Sequence, residues 1–189
     1  MEIFESNQMI EVIRKTATRS KEILTGDQIQ VGKYTATCQI ITPNGALFLL
    51  DQYLDQAYPM NEENTNRGGY EASDLRKRLQ SDDILAIFAE YRDRMQPFDN
   101  GDLLRLPFFG EIFGSEDAEY FEPDGCEQWP LMQDRKNRIA FRNNAWEWGW
   151  LQNKRKGSAT NFCDVANYGL AYYWNASASL GVRPAFLIV

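Results

Sequence analysis

Few residues of this chain have side chains that could carry out catalysis. Its 189 residues include no histidine and three cysteines. The lack of histidine excludes Ser-His-Asp, Cys-His and histidine-metal sites, because histidine is the base in the first two and the commonest metal ligand. The remaining candidates are the carboxylate of Glu147, which lies between two tryptophans, and the thiol of Cys163. A carboxylate with a shifted pKa can transfer protons, and a thiolate can act as a nucleophile.

Both candidates also have a simple structural interpretation. Glu147 alternates with Trp146 and Trp148, as an outward-facing polar residue of a strand does. Cys163 stands among apolar neighbours, where a thiol is unreactive, and the three cysteines form no CxxC pair. We therefore predict no catalytic residue, no cofactor and no metal site, with a small enzyme that uses a carboxylate or Cys163 as an alternative. Arg183 is expected to pair with a buried carboxylate, because its planar guanidinium satisfies several acceptors.

Residues 158–180 have the composition of a binding surface. Asn, Ser, Ala, Tyr and Trp dominate this segment, and charged residues nearly disappear from it. Tyr and Trp offer large contact areas with few rotatable bonds, while Asn, Ser and Gly offer adaptable hydrogen bonds. Successive strand residues face opposite sides, so Tyr172-Tyr173-Trp174 cannot bury all three rings on one side of a sheet. We expect Tyr168 and these three residues to anchor a ligand.

Charge and hydropathy exclude several kinds of partner. The formal net charge is −7, from 20 Lys and Arg against 27 Asp and Glu. A mean field of this sign disfavours nucleic acid and anionic lipid. No apolar run approaches the roughly 20 residues that span a bilayer, and the acids near the N-terminus are unlike a signal peptide. We predict no nucleic-acid partner, no membrane insertion, no signal peptide, and a cytoplasmic or virion-associated location.

The pattern of apolar residues predicts an α+β fold with a small antiparallel sheet and flanking helices. An amphipathic helix over residues 1–25 is expected to dock on its own domain or on another subunit, and residues 26–189 to form one domain. The Asn44-Gly45 pair predicts the turn of a β-hairpin over residues 28–50. The other expected elements are a long surface loop over 51–69, helices over 70–79 and 84–95, and several short strands over 139–189.

Several stretches of the chain resemble a known family. They are Trp148-Gly149-Trp150-Leu151-Gln152-Asn153, Ala159-Thr160-Asn161-Phe162-Cys163, the ending Gly181-Val182-Arg183-Pro184-Ala185-Phe186, and Tyr70-Glu71-Ala72-Ser73-Asp74-Leu75-Arg76. They are similar to bacterial and phage domains of the C-type-lectin-like fold, of the formylglycine-generating type. The resemblance implies this fold for residues 26–189. Cys163 lacks the partner thiol that formylglycine-generating oxidation needs.

Some members of that family are variable proteins of diversity-generating retroelements, in which adenine-directed mutagenesis rewrites surface residues of a C-terminal repeat. By resemblance, residues 150–186 are the binding segment. The implied framework residues are Trp150, Leu151, Phe162, Cys163, Gly169, Gly181, Arg183, Pro184 and Phe186. The expected ligand-binding residues, which include Trp174 because of its place among the anchors, are Ser158, Thr160, Asp164, Asn167, Tyr168, Leu170, Tyr172, Tyr173, Trp174, Asn175 and Ser179.

Two non-enzymatic functions follow from these patterns. The first is a ligand-binding protein whose partner is a protein or glycan on a cell surface, as in a receptor-binding component of a phage or prophage. The second is a structural or assembly protein of a virion, in which the same aromatic surface makes fixed subunit contacts. In the second, the N-terminal helix would hold a homo-oligomer together.

Overall fold

The computed structural model describes residues 22–189. The helix predicted over residues 1–25 therefore lies outside the described residues, except for its last four. Those four are not helical, since residues 22–24 have no regular structure and Thr25 begins a turn that continues into Gly26.

The described residues combine short helices with mostly antiparallel strands, and the main sheet curls into a half-barrel. The strands are β1 (Gln28–Val31), β2 (Tyr34–Thr42), β3 (Gly45–Leu50), β4 (Tyr58–Pro59), β5 (Met95–Gln96), β6 (Ala140–Arg142), β7 (Ala145–Glu147), β8 (Gly149–Lys154), β9 (Asn161–Val165), β10 (Ala171–Asn175), β11 (Ser179–Leu180) and β12 (Ala185–Ile188). The α-helices are α1 (Asp74–Leu79), α2 (Asp82–Leu85), α3 (Phe109–Phe113) and α4 (Arg135–Arg138). Turns of 3-10 helix cover Tyr70–Ala72, Ala86–Arg94, Ala118–Tyr120 and Pro130–Gln133. The predicted mixture of helices and antiparallel strands is confirmed.

The two helices predicted before residue 96 are present in a shorter form. Ser73 has an extended backbone with ψ of 153°, so it separates the 3-10 turn Tyr70–Ala72 from α1. Its Oγ accepts a hydrogen bond of 3.1 Å from the Arg76 backbone N–H and so caps α1. The second predicted helix begins as α2 and continues as a 3-10 helix through Arg94.

The main sheet has the strand order β1-β2-β3-β12-β5, so the last strand of the chain lies inside the sheet, between β3 and β5. Both β3 and β12 are buried on both faces. Phe48 and Phe186 pack into one apolar cluster with 5.8 Å between their ring centroids, and Leu47, Leu49 and Leu187 enter a second cluster on the other face. Double-sided burial explains why these strands are continuous apolar runs without alternation.

A second sheet, with the order β10-β9-β8, is shared between the same two clusters. Trp150 and Phe162 enter the first cluster, and Leu151 and Cys163 enter the second. Two-stranded pairs, β11 with β4 and β6 with β7, complete the strands of the described residues. No helix in this part of the chain is long and apolar enough to cross a bilayer.

The prediction of a surface loop over residues 51–69 is wrong for its apolar residues. Tyr53, Leu54 and Met60 are buried, at 3%, 2% and 0% exposure. Backbone hydrogen bonds hold the chain inward here, since Leu54 N–H donates to the Val182 carbonyl at 2.9 Å. The segment therefore forms part of the core beneath the second sheet.

The Tyr53 ring lies against the backbone of Gly149 and Gly181. A Cβ built on Gly181 would lie 2.5 Å from the Tyr53 Cγ, and one on Gly149 would overlap the same ring. Neither glycine has a positive φ, so the requirement for glycine here is steric. The two glycines also form a parallel bridge, which joins the start of β8 to the segment before β12.

We expect Gly181→Ala to destabilise the fold by about 1–3 kcal/mol, because the added methyl group must displace an aromatic ring in a closely packed core. Urea denaturation of Gly181→Ala, Tyr53→Leu and the double variant forms a double-mutant cycle. The smaller Leu side chain should reduce the cost of Gly181→Ala. An equal loss from Gly181→Ala in both backgrounds would show that the Tyr53 contact is not its cause.

Candidate functional site

Strand pairing places the predicted anchors of β10 on two faces of the second sheet. Tyr172 pairs with Asp164 of β9, which pairs in turn with Trp150 of β8. Tyr173 pairs instead with Cys163, one residue along, and therefore belongs to the opposite face. The expectation that the aromatic run cannot share one face is confirmed.

Three of the predicted anchors pack around Trp148, a residue between β7 and β8. The ring centroids of Tyr172, Trp174 and Tyr168 lie 5.2, 5.9 and 6.1 Å from that of Trp148, in edge-to-face arrangements. Tyr168, Tyr172 and Trp174 remain 48%, 40% and 41% exposed. These four residues form an aromatic cluster, which we call the Trp148 cluster, and clusters of this kind commonly mark binding sites.

Tyr173 is held differently from the other anchors. Its ring is half-buried against the second apolar cluster, and the Arg155 guanidinium carbon lies 3.6 Å from the ring centroid. This short cation–π contact fixes both side chains. Although Tyr172 and Tyr173 belong to opposite faces of the sheet, β10 is its edge strand, and the two rings stack beside that open edge with 4.9 Å between centroids. Tyr173 thus supports the Trp148 cluster from the edge strand β10.

The turn between β9 and β10 presents Asn167 and Tyr168 to solvent. Backbone hydrogen bonds from Ala166 N–H to Leu170 O and from Gly169 N–H to Ala166 O close this turn. Asn167 is exposed and Leu170 is half-buried. These predicted residues lie at one end of the sheet, next to the Trp148 cluster.

The other predicted residues lie toward the opposite end of the sheet. Ser158 and Thr160 are half-buried in the connection from β8 to β9, where the Ser158 Oγ accepts hydrogen bonds from the Thr160 and Asn161 N–H groups at 3.2 and 3.0 Å. Asn175, which ends β10, is exposed and pairs with Asn161. Ser179 is exposed on β11, which pairs with β4. The structure does not bring these four residues into the Trp148 cluster.

Asp164 is the predicted site residue that lies below the surface. It has 0% exposure, and neither carboxylate oxygen has a hydrogen-bond partner within residues 22–189. Burial raises the pKa of this carboxyl well above its ordinary value of 3.8, because a charge is poorly solvated there. It pairs across strands with Tyr172, so a buried ionisable group lies on the strand next to one residue of the Trp148 cluster.

Sequence reasoning missed the exposed aromatics before β8. Trp146 is 62% exposed and packs edge-to-face on Phe141, which is 36% exposed, across the β6–β7 hairpin. Glu147 was expected to be the outward residue of this strand, but its carboxylate pairs with Arg142 at 2.7 Å and is less exposed than Trp146. The regular spacing of Trp146, Trp148 and Trp150 is the sequence feature that could have indicated these exposed aromatic residues. In the structure the three tryptophans run from exposed through half-buried to buried.

The cysteines show none of the features of a nucleophile. Cys163 is fully buried, and desolvation raises the pKa of its thiol well above 9.0. Desolvation, followed by the nearby Glu111 and Asp124 carboxylates, raises the pKa of Cys126 to about 12. Reactive cysteines need a lowered pKa. Within the described residues, no group of three or more Cys, Asp or Glu side chains could hold a metal ion.

Comparisons of the chain with models of protein families, with curated proteins and with solved structures find no match.

We expect Asp164→Asn to stabilise the protein at pH 7 by roughly 1–3 kcal/mol, because a neutral amide of similar shape replaces a buried acid whose charged form is poorly solvated. The folded state holds the Asp164 proton at pH values where the unfolded chain releases it. The stability of the wild-type chain should therefore fall as the pH rises above the unfolded value of 3.8 toward the raised folded pKa. Urea denaturation at a series of pH values measures this difference.

Asp74→Asn is the control for that experiment. Hydrogen bonds from the Glu62 N–H and the Lys77 side chain lower the Asp74 pKa, so its carboxylate stabilises the fold above the unfolded pKa and loses this effect in acid. Asp74→Asn should thus weaken the protein at neutral pH, with the opposite sign. An Asp164→Asn variant whose stability follows the wild-type curve at every pH would contradict the prediction.

Proposed function

We propose that this chain is a non-enzymatic binding protein with a C-type-lectin-like fold, and that the Trp148 cluster contacts a protein ligand on a cell surface. The observation that carries the proposal is the packing of Tyr168, Tyr172 and Trp174 around one tryptophan while all three stay about half exposed. Rigid aromatic side chains of this kind dominate the energy of protein interfaces. The polar residue Asn167 lies next to the cluster, as adaptable hydrogen-bonding residues flank aromatic anchors in antibody loops.

The shape of the cluster favours a protein over a glycan. The ring planes of Tyr168, Tyr172 and Trp174 are turned by 82°, 76° and 79° from that of Trp148. Rings turned in this way against Trp148 do not form one continuous flat surface, and an uneven surface suits the irregular side chains of a protein.

We further propose that the chain is a variable protein of the diversity-generating-retroelement type, carried by a phage or prophage for receptor binding. The division between framework and variable positions implied by the family resemblance agrees with burial. All nine implied framework residues, from Trp150 to Phe186, are buried. The expected ligand-binding residues other than Trp174 are the ten that the resemblance implies to be variable. Nine of these ten are exposed or half-buried, and Asp164 is the exception. A surface that is rewritten by mutation needs this separation, because substitutions at buried positions are costly.

The features of the thiols and carboxylates are consistent with this non-enzymatic role. Burial keeps Cys163 and Cys126 in the protonated form that does not attack substrates. Glu147 is held in an ion pair with Arg142.

Sequencing of the DNA around the gene tests the variable-protein proposal. We expect a near copy of the codons for residues 150–186, with a reverse-transcriptase frame close by. Differences between the copies should fall at adenines of the copy and in the codons of exposed residues such as Tyr168, Tyr172 and Asn175. The codons of Phe162, Cys163 and Gly181 should be identical. A locus without the copy and the reverse transcriptase would overturn the proposal that the surface is diversified.

We also expect the exposed anchors to contribute little to folding. Trp174→Ala should cost about 1 kcal/mol or less, whereas Phe162→Ala should cost roughly 3–5 kcal/mol. The two are a matched pair, since they are cross-strand partners on one face and differ in exposure, at 41% and 0%. Thermal or urea denaturation measures both. Equal losses would mean that Trp174 is part of the core and is not free to bind.

A further inference from the structure

A cleft of about 360 Å³ lies apart from the Trp148 cluster, beside the first strands of the main sheet. Its walls come from β1 and β2, from the residue that follows β3, and from the segment 131–139 that contains α4. Arg183 lies on its wall, between the second sheet and β12. A cavity of this volume is at the lower end of the range that holds small molecules.

Arg183 brings a buried positive charge to this cleft. Its side chain is 9% exposed, and it donates hydrogen bonds to the carbonyls of Leu50 and, at 3.0 Å, Asn137. The carboxylate partner that the sequence suggested is not present, because within residues 22–189 no Asp or Glu lies within ion-pair distance of its guanidinium. Arginine is seldom buried unless its charge is paired. Burial lowers the pKa of Arg183, and the neighbouring Tyr53 and Asp51 side chains oppose this without an ion-pair contact. The guanidinium therefore has no anion in direct contact, and an anionic group in the cleft would supply one.

A second cation faces the same space. Lys136 of α4 lines the cleft and is exposed, and its ammonium group makes no ion pair within the described part of the chain. A carboxylate between Lys136 and Arg183 would receive charge-assisted hydrogen bonds from both.

Another part of the lining accepts hydrogen bonds. The Asp51 carboxylate is held by the Thr37 hydroxyl at 2.7 Å and by the Gln28 amide at 3.2 Å, so its position is fixed. Gln39 also lines the cleft and is 1% exposed, and its Oε1 has no hydrogen-bond partner among residues 22–189. An ammonium group is the donor that suits a fixed carboxylate beside amide and hydroxyl oxygens.

The remaining side chains of the wall are apolar. Leu131, Met132 and Ile139 line the cleft on the side of α4. They offer a surface for a hydrocarbon group, whose burial is favourable in proportion to its area.

We propose that this cleft binds a free α-amino acid with an apolar side chain. Arg183 and Lys136 bind the α-carboxylate, Asp51 accepts from the α-ammonium group, and Met132 and its apolar neighbours contact the side chain. The ligand supplies one charge of each sign, which matches two cations and one anion better than a simple anion or cation does. The inference does not rest on the proposed function of the Trp148 cluster.

Isothermal titration calorimetry of the full chain with L-leucine tests this proposal. We expect saturable binding of one leucine per chain. N-acetyl-L-leucine lacks the ammonium group and L-leucinamide lacks the carboxylate, so each should bind at least about tenfold more weakly, as expected for the loss of a hydrogen-bonded charge. No saturation at millimolar leucine, or equal binding of all three compounds, would overturn the proposal.

Two variants test whether leucine binds in this cleft. Asp51→Asn keeps a side chain that Thr37 and Gln28 can still contact, and Lys136→Met removes only an exposed charge, so both should fold. Each should weaken leucine binding about tenfold or more. Asp74→Asn and Lys77→Met, at an exposed ion pair on α1, are the matched controls and should bind as the wild type does. Wild-type affinity in Asp51→Asn and Lys136→Met would place the leucine elsewhere and overturn the assignment.

Discussion

The contact of the Tyr53 ring with two glycines is the constraint on which the second sheet and its aromatic surface depend. With no side chain at Gly149 and Gly181, the two backbones approach the ring from β8 and from the segment before β12. Hydrogen bonds then join these backbones, from Gly181 N–H to Trp148 O at 2.8 Å and from Trp150 N–H to Gly181 O at 3.0 Å. The position of Trp148, and with it the cluster of exposed rings, therefore follows from a steric requirement in the core.

The same sheet contains a feature that weakens the fold. Asp164 occupies a fully buried position beside Tyr172 on the neighbouring strand, without a hydrogen-bond partner in the described chain, where an apolar residue would be more stable. Local conflicts of this kind concentrate at functional sites, because selection for stability alone would remove them. The proximity of this buried acid to the Trp148 cluster therefore supports the proposal that this face of the sheet binds a ligand.

The parts of the fold that depend on neighbouring residues could be predicted from the sequence, and those that depend on distant residues could not. The β1–β2–β3 strands follow from local alternation and from the turn at Asn44-Gly45, and their bounds agree with the structure. The burial of Tyr53 was missed because it requires Gly149 and Gly181, far along the chain. The exposure of Tyr168 and Tyr172 could be predicted from composition and strand periodicity. The position of Trp148 at the centre of the cluster could not, because the residues that pack on it come from two later segments of the chain.

The ending Gly181-Val182-Arg183-Pro184-Ala185-Phe186 contacts other parts of the chain at every position. Gly181 has no room for a Cβ, and the Val182 carbonyl accepts from Leu54 N–H at 2.9 Å. Arg183 bridges the carbonyls of Leu50 and Asn137, and the Pro184 carbonyl accepts from Leu50 N–H at 3.2 Å. Ala185 exchanges two backbone hydrogen bonds with Arg105, and Phe186 stacks on Phe48. Every position of this segment thus has a contact with another part of the chain, and β3 with the residues that follow it provides most of them, whereas the rings of β10 lie on an edge strand.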